Sequence, residues 1–323
     1  MRNTRRKTRM ELRHLRCFMA VAEELHFARA AERLHMEQSP LSRTIRELED
    51  ELGVQLFLRT TRRTRLTRAG QLFLRQVPRI FAALEQARDS AQAGANGFHD
   101  QLRIAVSDAS ARSQLPALLA LCRQEDPEVE LRLFEVSLSQ QVEGLHDGRY
   151  DVGFSLSDDV GDGISAHPLW SEPLVVAVPA RHPLLAYRHI PREELLRYPL
   201  VLCDSQAWEG HAGLVDRVLS RGDQEPLIAD RVASPELMMT LVSAGLALGL
   251  VGASHVLASR KLGVVARPLA GRVPPVTTYL LYLDGEPSPT LARFIMRARA
   301  GRPPVLDGRI DVSNPRTYED VEI

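Results

Sequence analysis

The sequence predicts an α+β multidomain fold in which a small helical domain precedes a larger α/β domain. Between Leu12 and Leu52, apolar residues recur at the spacings of three and four that mark amphipathic helices. From Leu102 onward, short apolar runs alternate with helical patterns, which is typical of α/β domains. A chain of 323 residues with 44% apolar side chains can form two or three domains, each with its own core.

Charged residues are distributed unevenly along this chain, although its formal net charge is zero. Residues 1–90 carry 19 basic and 11 acidic side chains, whereas residues 91–323 carry 22 and 30. Nearly all the positive charge is arginine, since Lys7 and Lys261 are the only lysines. Because the guanidinium group pairs well with phosphate and guanine, the N-terminal part is predicted to contact nucleic acid.

Cysteine use and hydropathy indicate the compartment. Cys17, Cys122 and Cys203 are odd in number and far apart, which argues against a disulfide framework and favours a reducing compartment. The basic residues 1–9 are followed by no apolar stretch of signal-peptide length, and no later apolar run reaches about 18 residues. We therefore expect a cytoplasmic protein without membrane contact. Residues 1–9 are either a basic N-terminal arm or the product of a start codon upstream of Met10.

Three short helices are predicted at the start of the chain. Apolar stripes mark the first from Leu12 to Leu25 and the second from Phe27 to Leu34. The third is predicted to begin with Ser39 as its N-cap and Pro40 at its first helical position, and to end at Gly53. Its predicted buried face comprises Leu41, Ile45, Leu48 and Leu52. Two helices, a tight turn and a capped third helix describe a helix-turn-helix.

The third helix is predicted to read DNA with the polar residues near its start. These residues are of the types that contact bases and phosphates, and that end of the helix enters the major groove in helix-turn-helix proteins. The residues are Gln38, Ser39, Ser42, Arg43 and Arg46. Phosphates would repel the acidic residues of the other end, which is therefore predicted to leave the groove: Glu47, Glu49, Asp50 and Glu51. The alternative is a solvated helix with ordinary caps.

Residues 54–67 are predicted to form a hairpin wing with an arginine-rich tip, so that residues 10–69 make up a winged helix-turn-helix domain. The arginines suit phosphates and a narrow minor groove, although a solvated charge run is the alternative. They are Arg59, Arg62, Arg63, Arg65 and Arg68.

Residues 70–93 are predicted to form a dimerising linker helix, with Pro78 kinking it or removing a hydrogen bond. Its apolar seam follows the alternating spacing of four and three that is typical of paired helices. The seam comprises Phe73, Val77, Ile80, Leu84, Ala87 and Ala91. Residues 94–100 are predicted to be a linker between domains.

Residues 101–300 are predicted to form the α/β domain. Strands at 102–106, 129–136 and 150–154, separated by helices at about 111–124 and 139–146, predict a right-handed parallel βαβαβ unit. Further strands are predicted at 173–178, 199–203, 246–251 and 276–283, and further helices at the pairs Ser234–Pro235 and Ser288–Pro289. Residues 301–323 have no periodicity and are predicted to be a flexible C-terminal tail.

The N-terminal residues resemble a known family. The runs RAAERLH and QSPLSRTIRELEDELG, followed by LF-R and R-LT-AG, are similar over about 60 contiguous residues to the N-terminal domain of LysR-type transcriptional regulators. LHDGRYDVGF and LVSAGLALGLV fit the effector domain of that family. The resemblance implies a two-subdomain α/β periplasmic-binding-protein-like effector domain, with residues 101–168 and 271–300 in one subdomain and 169–270 in the other.

The resemblance also implies partners and DNA contacts. It implies a homodimer or homotetramer that binds and bends double-stranded promoter DNA, responds to a small-molecule inducer and contacts RNA polymerase. On the matching positions it assigns Gln38, Ser39, Pro40, Ser42 and Arg43 to the major groove and Arg59 and Arg62–Arg65 to the wing contacts. Glu37 departs from the family pattern, where a small or uncharged residue is more usual, and so does Ala28, where a hydroxyl or glycine is common.

The resemblance places the inducer between the two subdomains, near strand ends and helix N-termini. Hydroxyl groups beside the N–H groups of helix starts favour an anionic ligand, with small carboxylates as candidates. The hydroxyls belong to Ser107, Ser137, Ser139, Ser205 and Ser234. The alternative for each is a simple N-cap.

Other functions lack support in the sequence. Glycine-rich phosphate motifs and GxSxG are missing, so no catalytic residues and no cofactor are predicted. His182, His189 and the cysteines lack metal-ligand spacing, so no metal is predicted. Redox sensing would require Cys122 and Cys203 to pair, whereas they are expected in different subdomains as inert thiols. A transport binding protein would carry an export signal and no basic helix-turn-helix. The identity of the inducer, the target genes and the sign of regulation stay open.

Overall fold

The computed structural model describes residues 10–59, 64–107, 114–206, 208–220, 224–259 and 262–300. The chain divides into two compact units, residues 1–88 and 89–323, and each is described by itself. Within the described ranges, no helix has both the length and the apolar character needed to cross a membrane.

The first unit is a three-helix domain with a small hairpin. Its elements are α1 (Leu12–Glu24), α2 (Phe27–Arg33), α3 (Gln38–Leu52), β1 (Phe57–Arg59), β2 (Thr64–Leu66) and the start of α4 (Arg68–Ala95). β1 and β2 pair antiparallel, with Phe57 opposite Leu66. The predicted hairpin tip, which contains Arg62 and Arg63, lies outside the described residues, as do the predicted N-terminal arm 1–9 and tail 301–323.

The core of this unit confirms three residues of the apolar stripe predicted for the third helix, whereas the fourth, Leu52, is only partly buried. Leu41, Ile45 and Leu48 are each fully buried. Phe18 of α1 is also fully buried, and its ring centroid lies 5.4 Å from that of Phe57 and 5.0 Å from that of Phe73. One aromatic side chain therefore joins the helices, the hairpin and the beginning of α4 in a single core.

The predicted start of the third helix is wrong. Its N-cap is Glu37, with extended backbone and no side-chain cap bond, so Ser39 lies inside the helix instead of capping it. Pro40 is tolerated there because the N–H groups of the first turn have no intrahelical acceptor in any case. The predicted end is confirmed, since Gly53 closes the helix at a φ of +68°, a conformation that glycine adopts without strain.

α4 begins in close contact with the hairpin. The Thr67 hydroxyl donates to the Gln55 carbonyl at 2.7 Å and accepts from the Gly70 N–H at 2.9 Å. A Cβ atom added to Gly70 would lie 2.2 Å from the backbone oxygen of Leu56. Only glycine therefore allows the helix to approach the hairpin backbone so closely.

The apolar seam predicted on α4 is divided between two environments. Phe73 and Val77 pack in the core of the first unit. Ile80 and Leu84 are exposed, at 38% and 39%. The helix extends to Ala95, and the next strand begins at Asp100, so the predicted helix 70–93 was too short and the predicted linker 94–100 too long.

The second unit contains two mixed five-stranded sheets flanked by helices. The first part of its chain forms β3 (Asp100–Val106), α5 (Leu115–Glu125), β4 (Val129–Glu135), α6 (Leu138–His146), β5 (Val152–Ser155) and β6 (Ile164–Glu172). The middle part forms β7 (Leu174–Pro179), α7 (Arg192–Leu195), β8 (Leu200–Cys203), α8 (Glu209–Leu219), β9 (Ile228–Val232), α9 (Pro235–Ser243), β10 (Leu248–Gly252), α10 (Ala253–Ala258) and β11 (Val264–Pro268). The last part forms β12 (Val276–Leu283) and α11 (Pro289–Ala300).

The strand order confirms the predicted parallel unit. The first sheet has the order β4-β3-β5-β12-β6, with β3 parallel to both β4 and β5. The second has the order β11-β7-β10-β8-β9, with β8 parallel to β9 and β10. Three strands, β6, β9 and β11, were not predicted. Because β6 extends to Glu172, the chain leaves the first sheet four residues later than the predicted boundary at 168, and it returns with Val276 instead of residue 271.

Helix caps and one ion-pair cluster complete the second unit. The predicted caps are confirmed: Ser234 accepts from the Leu237 N–H and Ser288 from the Leu291 N–H, both at 3.2 Å. The start predicted at 111 for the helix before β4 is not: α5 begins at Leu115, and residues 108–113 lie outside the described part. Asp126 accepts from both Arg297 and Arg293, which lowers the pKa of its carboxyl and joins α5 to α11.

We predict that Gly70→Ala destabilises the first unit, because the new methyl group would overlap the Leu56 carbonyl oxygen. The expected loss is about 1–3 kcal/mol in the free energy of unfolding, measured by urea denaturation. Gly94→Ala is the control in the same helix, since nothing lies within 4 Å of its added Cβ, and it should be neutral or slightly stabilising. Equal stability of both variants and the parent would contradict the close approach.

Candidate functional site

The polar side of α3 forms one continuous surface. Because Leu41, Ile45 and Leu48 turn inward, the opposite side of the helix faces solvent. Five side chains there line one open depression of about 520 Å³: Gln38, Ser39, Ser42, Arg43 and Arg46. The structure thus brings together these five predicted residues, and Pro40 is exposed beside them.

Arg43 and Arg46 supply the positive charge of this surface. Both are exposed, and neither forms an ion pair with any carboxylate in the described part of the chain. An exposed guanidinium that is not paired with a carboxylate can offer its positive charge and its fork of N–H donors to a phosphate or a base edge. The charge and the hydrogen-bond donors of this surface are therefore suited to binding a polyanion.

Arg59, predicted as a wing contact, lies in a different environment. Its Nη1 donates to the Ser42 Oγ at 3.1 Å and its Nη2 to the Glu49 Oε2 at 3.0 Å. Its guanidinium carbon lies 4.6 Å from the centroid of the Phe27 ring. Arg59 is thus bonded inside the domain. Arg65, by contrast, is exposed on β2 opposite Leu58.

Glu49 was predicted only as part of an acidic helix end, but it is a partly buried acceptor. Its Oε1 accepts from the N–H groups of Leu56 and Phe57 at 2.9 and 3.1 Å. Spacing along the sequence could not reveal this role, because it depends on the chain folding back after Gly53.

The five serines of the predicted ligand site lie beyond the ends of parallel strands. Ser107 and Ser137 follow β3 and β4, which are neighbours in the first sheet. Ser205 and Ser234 follow β8 and β9, which are neighbours in the second. In each sheet, two hydroxyl groups are therefore placed along one edge, at the carboxyl ends of the strands.

The individual contacts of these serines differ. Ser107 is buried, and its hydroxyl donates to the Gln141 Oε1 at 3.3 Å. Ser137 accepts from the Gln140 N–H at 3.3 Å, and its oxygen lies 3.0 Å from that of Ser139. Ser205 is exposed in a turn. Ser137 and Ser234 are N-caps, as the alternative interpretation expected.

Two buried polar residues of this unit were missed from the sequence. The Gln141 Nε2 donates to the carbonyls of Ala105 and Phe154 at 2.9 and 3.1 Å. The Glu172 carboxylate accepts from the Ser254 N–H and hydroxyl at 2.7 and 2.9 Å, and burial raises its pKa. Neither residue stands in a recognisable motif, so nothing in the sequence could have indicated them.

The cysteines and His211 lie in the interior of the protein. Cys17, Cys122 and Cys203 are buried, and burial raises the pKa of the Cys17 and Cys122 thiols. His211 is fully buried against the Leu250 carbonyl at 2.9 Å, and burial lowers its pKa. Over the described ranges, no group of three or more His, Cys, Asp or Glu side chains could hold a metal ion.

Comparison with known proteins identifies the two parts of the chain. Residues 12–71 match the family model described as the bacterial regulatory helix-turn-helix protein of the lysR family, and residues 95–302 match the LysR substrate binding domain. The chain belongs to the LysR family of transcriptional regulators. As a LysR-type protein it is a DNA-binding transcriptional regulator with a substrate-binding domain, and not an enzyme, as predicted.

Individual relatives agree with this membership. The HTH-type transcriptional regulator AlsR of Bacillus subtilis is 35% identical over 245 residues, covering 76% of this chain and 81% of AlsR. The Hca operon transcriptional activator HcaR of Escherichia coli is 34% identical over 288 residues, covering 88% of this chain and 96% of HcaR. The full-length CbnR complexed with its target DNA is similar at a TM-score of 0.64 and 30% identity, covering 90% of this chain and 99% of CbnR.

Proposed function

We propose that this LysR-type regulator recognises an operator with the start of α3 in the major groove. The observation that carries the proposal is the single exposed surface formed by Gln38, Ser39, Ser42, Arg43 and Arg46, opposite a fully buried apolar stripe. Gln38 and Arg43 supply side chains that pair with base edges, and Arg46 supplies charge for phosphates. Pro40 offers an apolar contact at the same surface.

The wing completes the proposed DNA contact. Arg65 is exposed on β2, and Arg62 and Arg63 stand next to it in the sequence. An exposed arginine on such a hairpin neutralises phosphates or enters a narrow minor groove. We expect the contribution of Arg65 to be insensitive to DNA sequence and sensitive to salt.

We infer that α4 joins two copies of the chain. The support is the exposed half of its seam, in which Ile80, Leu84, Ala87 and Ala91 recur at spacings of four, three and four. A two-fold dimer presents two α3 helices to two half-sites of one operator. A homotetramer would then engage two such sites and bend the DNA between them.

We further propose that the second unit binds a small carboxylate between its two sheets. The support is the placement of Ser107 and Ser137 at one sheet edge and of Ser205 and Ser234 at another, with Ser139 beside Ser137. The N–H groups of the starts of α6 and α9 favour an anion. A ligand that binds one arrangement of the two subdomains more tightly than another increases the population of that arrangement. We propose that this change in population alters the bend of the bound DNA and the contact with RNA polymerase.

We predict that Arg43→Ala lowers discrimination between operator and random DNA, because one bidentate base contact contributes about 1–3 kcal/mol, or roughly 5–150-fold. The measurement is fluorescence anisotropy at one fixed salt concentration, with an operator selected from randomised duplexes. Arg123→Ala is the control, since it removes another exposed arginine, which lies in the second unit. Unchanged discrimination in the Arg43 variant would refute the groove assignment.

The double substitution Ile80→Glu and Leu84→Glu is expected to convert the assembly to monomers, because two buried carboxylates would face each other across the paired helices. Light scattering measures the mass. Leu72→Glu is the control, because Leu72 is 56% exposed on the same helix but lies off the seam. Retention of the parental mass by the double variant would show that α4 is not the interface.

We expect calorimetry to show that the full chain binds small carboxylates. Ser205→Ala should lower the affinity a few-fold, because the loss of one hydroxyl donor costs about 0.5–1.5 kcal/mol of binding free energy. Ser220→Ala, at the opposite end of α8, should bind like the parent. Absence of heat with every carboxylate, or an equal effect of both variants, would contradict the proposed ligand site.

A further inference from the structure

We propose that Glu49 and Arg59 are positioning residues for DNA recognition, and that Arg59 is not a phosphate contact. Together they fix the start of the wing against the recognition helix and set the hydroxyl of Ser42 as a hydrogen-bond donor toward the DNA. This inference rests on the proposed placement of the start of α3 in the major groove. We call the group formed by Phe27, Ser42, Glu49 and Arg59 the bracket.

Glu49 binds the wing through three donors. Its side chain is only 11% exposed. One carboxylate oxygen accepts from the N–H groups of Leu56 and Phe57, the residues that lead into β1, and the other accepts from Arg59. Because a partly buried carboxylate with three donors is held far more firmly than a solvated one, Glu49 fixes where the hairpin leaves the helix.

Arg59 connects three elements at one guanidinium. Ser42 and Glu49 are seven residues apart on α3, which is two helical turns, so both face the same side. Arg59 reaches both of them from the end of β1, and its guanidinium packs on the ring of Phe27 at the start of α2. The wing, the recognition helix and the preceding helix thus move together.

The bracket also determines the chemistry that Ser42 offers. A serine hydroxyl has one proton to donate and two lone pairs to accept with. One lone pair of the Ser42 oxygen is taken by the Arg59 N–H. The proton is consequently directed away from Arg59, toward an acceptor such as a phosphate oxygen, or the N7 or O6 atom of guanine.

A turn of Arg59 toward a phosphate would disturb this arrangement. Two of its five N–H groups are bonded to Ser42 and Glu49, and a movement that released Glu49 would leave a partly buried carboxylate without its cation, which is unfavourable. Its charge is already balanced by Glu49 and its face is covered by Phe27. Arg59 is therefore expected to neutralise no phosphate, unlike the exposed Arg65 of the same hairpin.

Salt dependence of binding by the full chain tests the assignment. Each phosphate contact contributes about 0.9 to the slope of log affinity against log salt concentration. We expect Arg59→Gln to lower operator affinity about tenfold or more, through the lost charged hydrogen bonds, with the slope unchanged. Arg65→Gln is the matched arginine control and should reduce the slope by about 0.9. A slope reduced equally by Arg59→Gln would overturn the assignment.

Glu49→Gln separates positioning from repulsion. If the bracket positions the reading surface, this variant loses operator affinity while random-DNA affinity does not fall. If Glu49 only repels phosphates, both affinities rise, as is expected for the exposed control Asp50→Asn. The double variant Glu49→Gln with Arg59→Gln should lose no more than the worse single variant, because both act through one contact. Additive losses would contradict the bracket.

Two further measurements keep the outcomes distinct. Thermal unfolding shows whether each variant folds, and Arg59→Lys, which keeps the charge but not the fork that reaches Ser42 and Glu49 together, replaces Arg59→Gln if the latter unfolds. Arg59→Lys is expected to lower operator affinity with the salt slope unchanged, and parental operator affinity in this variant would overturn the bracket.

The failure of the bracket can be distinguished from the failure of the groove placement. If Arg43→Ala reduces discrimination while the Arg59 variants keep parental operator affinity, only the bracket is refuted. If the Arg43 and Arg59 variants all discriminate operator from random DNA as the parent does, the groove placement itself is refuted.

Discussion

The complete burial of Leu41, Ile45 and Leu48 is the constraint on which the proposed DNA-binding surface of α3 depends. Each such side chain contributes about 1.5–3 kcal/mol when removed from water, so rotation of α3 about its axis would be strongly unfavourable. Because the helix cannot rotate, every residue on its other side has a fixed direction. The directions in which Gln38 and Arg43 project are thus determined by residues on the opposite, buried side of the helix.

In the second unit, two serines of the proposed ligand site also have a structural role as helix caps. Ser137 and Ser234 already accept backbone N–H groups at the starts of α6 and α9, which stabilises both helices. Capping occupies a lone pair and not the hydroxyl proton, so capping by itself does not exclude ligand binding by the same side chain. The parallel strands β3 with β4 and β8 with β9 align these caps at sheet edges.

Sequence reasoning succeeded where the determining contacts are local, and it failed where they are not. Helical spacing and Gly53 were enough to predict the buried face and the end of α3. The start predicted from Ser39 and Pro40 was wrong because proline is tolerated throughout the first turn of a helix. β9 was not predicted because four of its five residues are exposed, so it lacks an apolar run. β6 was not predicted because it contains Pro168, which is unusual inside a strand. The bond between Glu49 and Arg59 joins residues ten apart through a folded hairpin, which no spacing rule describes.

The division of α4 between a core and an exposed seam makes the helix a lever. Phe73 and Val77 anchor its beginning in the same core that holds α3. The helix has 28 residues and is therefore about 42 Å long, so a tilt of about 10° imposed at its far end moves the near end by roughly 7 Å. That distance is about two base-pair steps. In the proposed dimer, a small change in how two copies of α4 cross would therefore shift both α3 helices along a duplex without altering any side chain of α3.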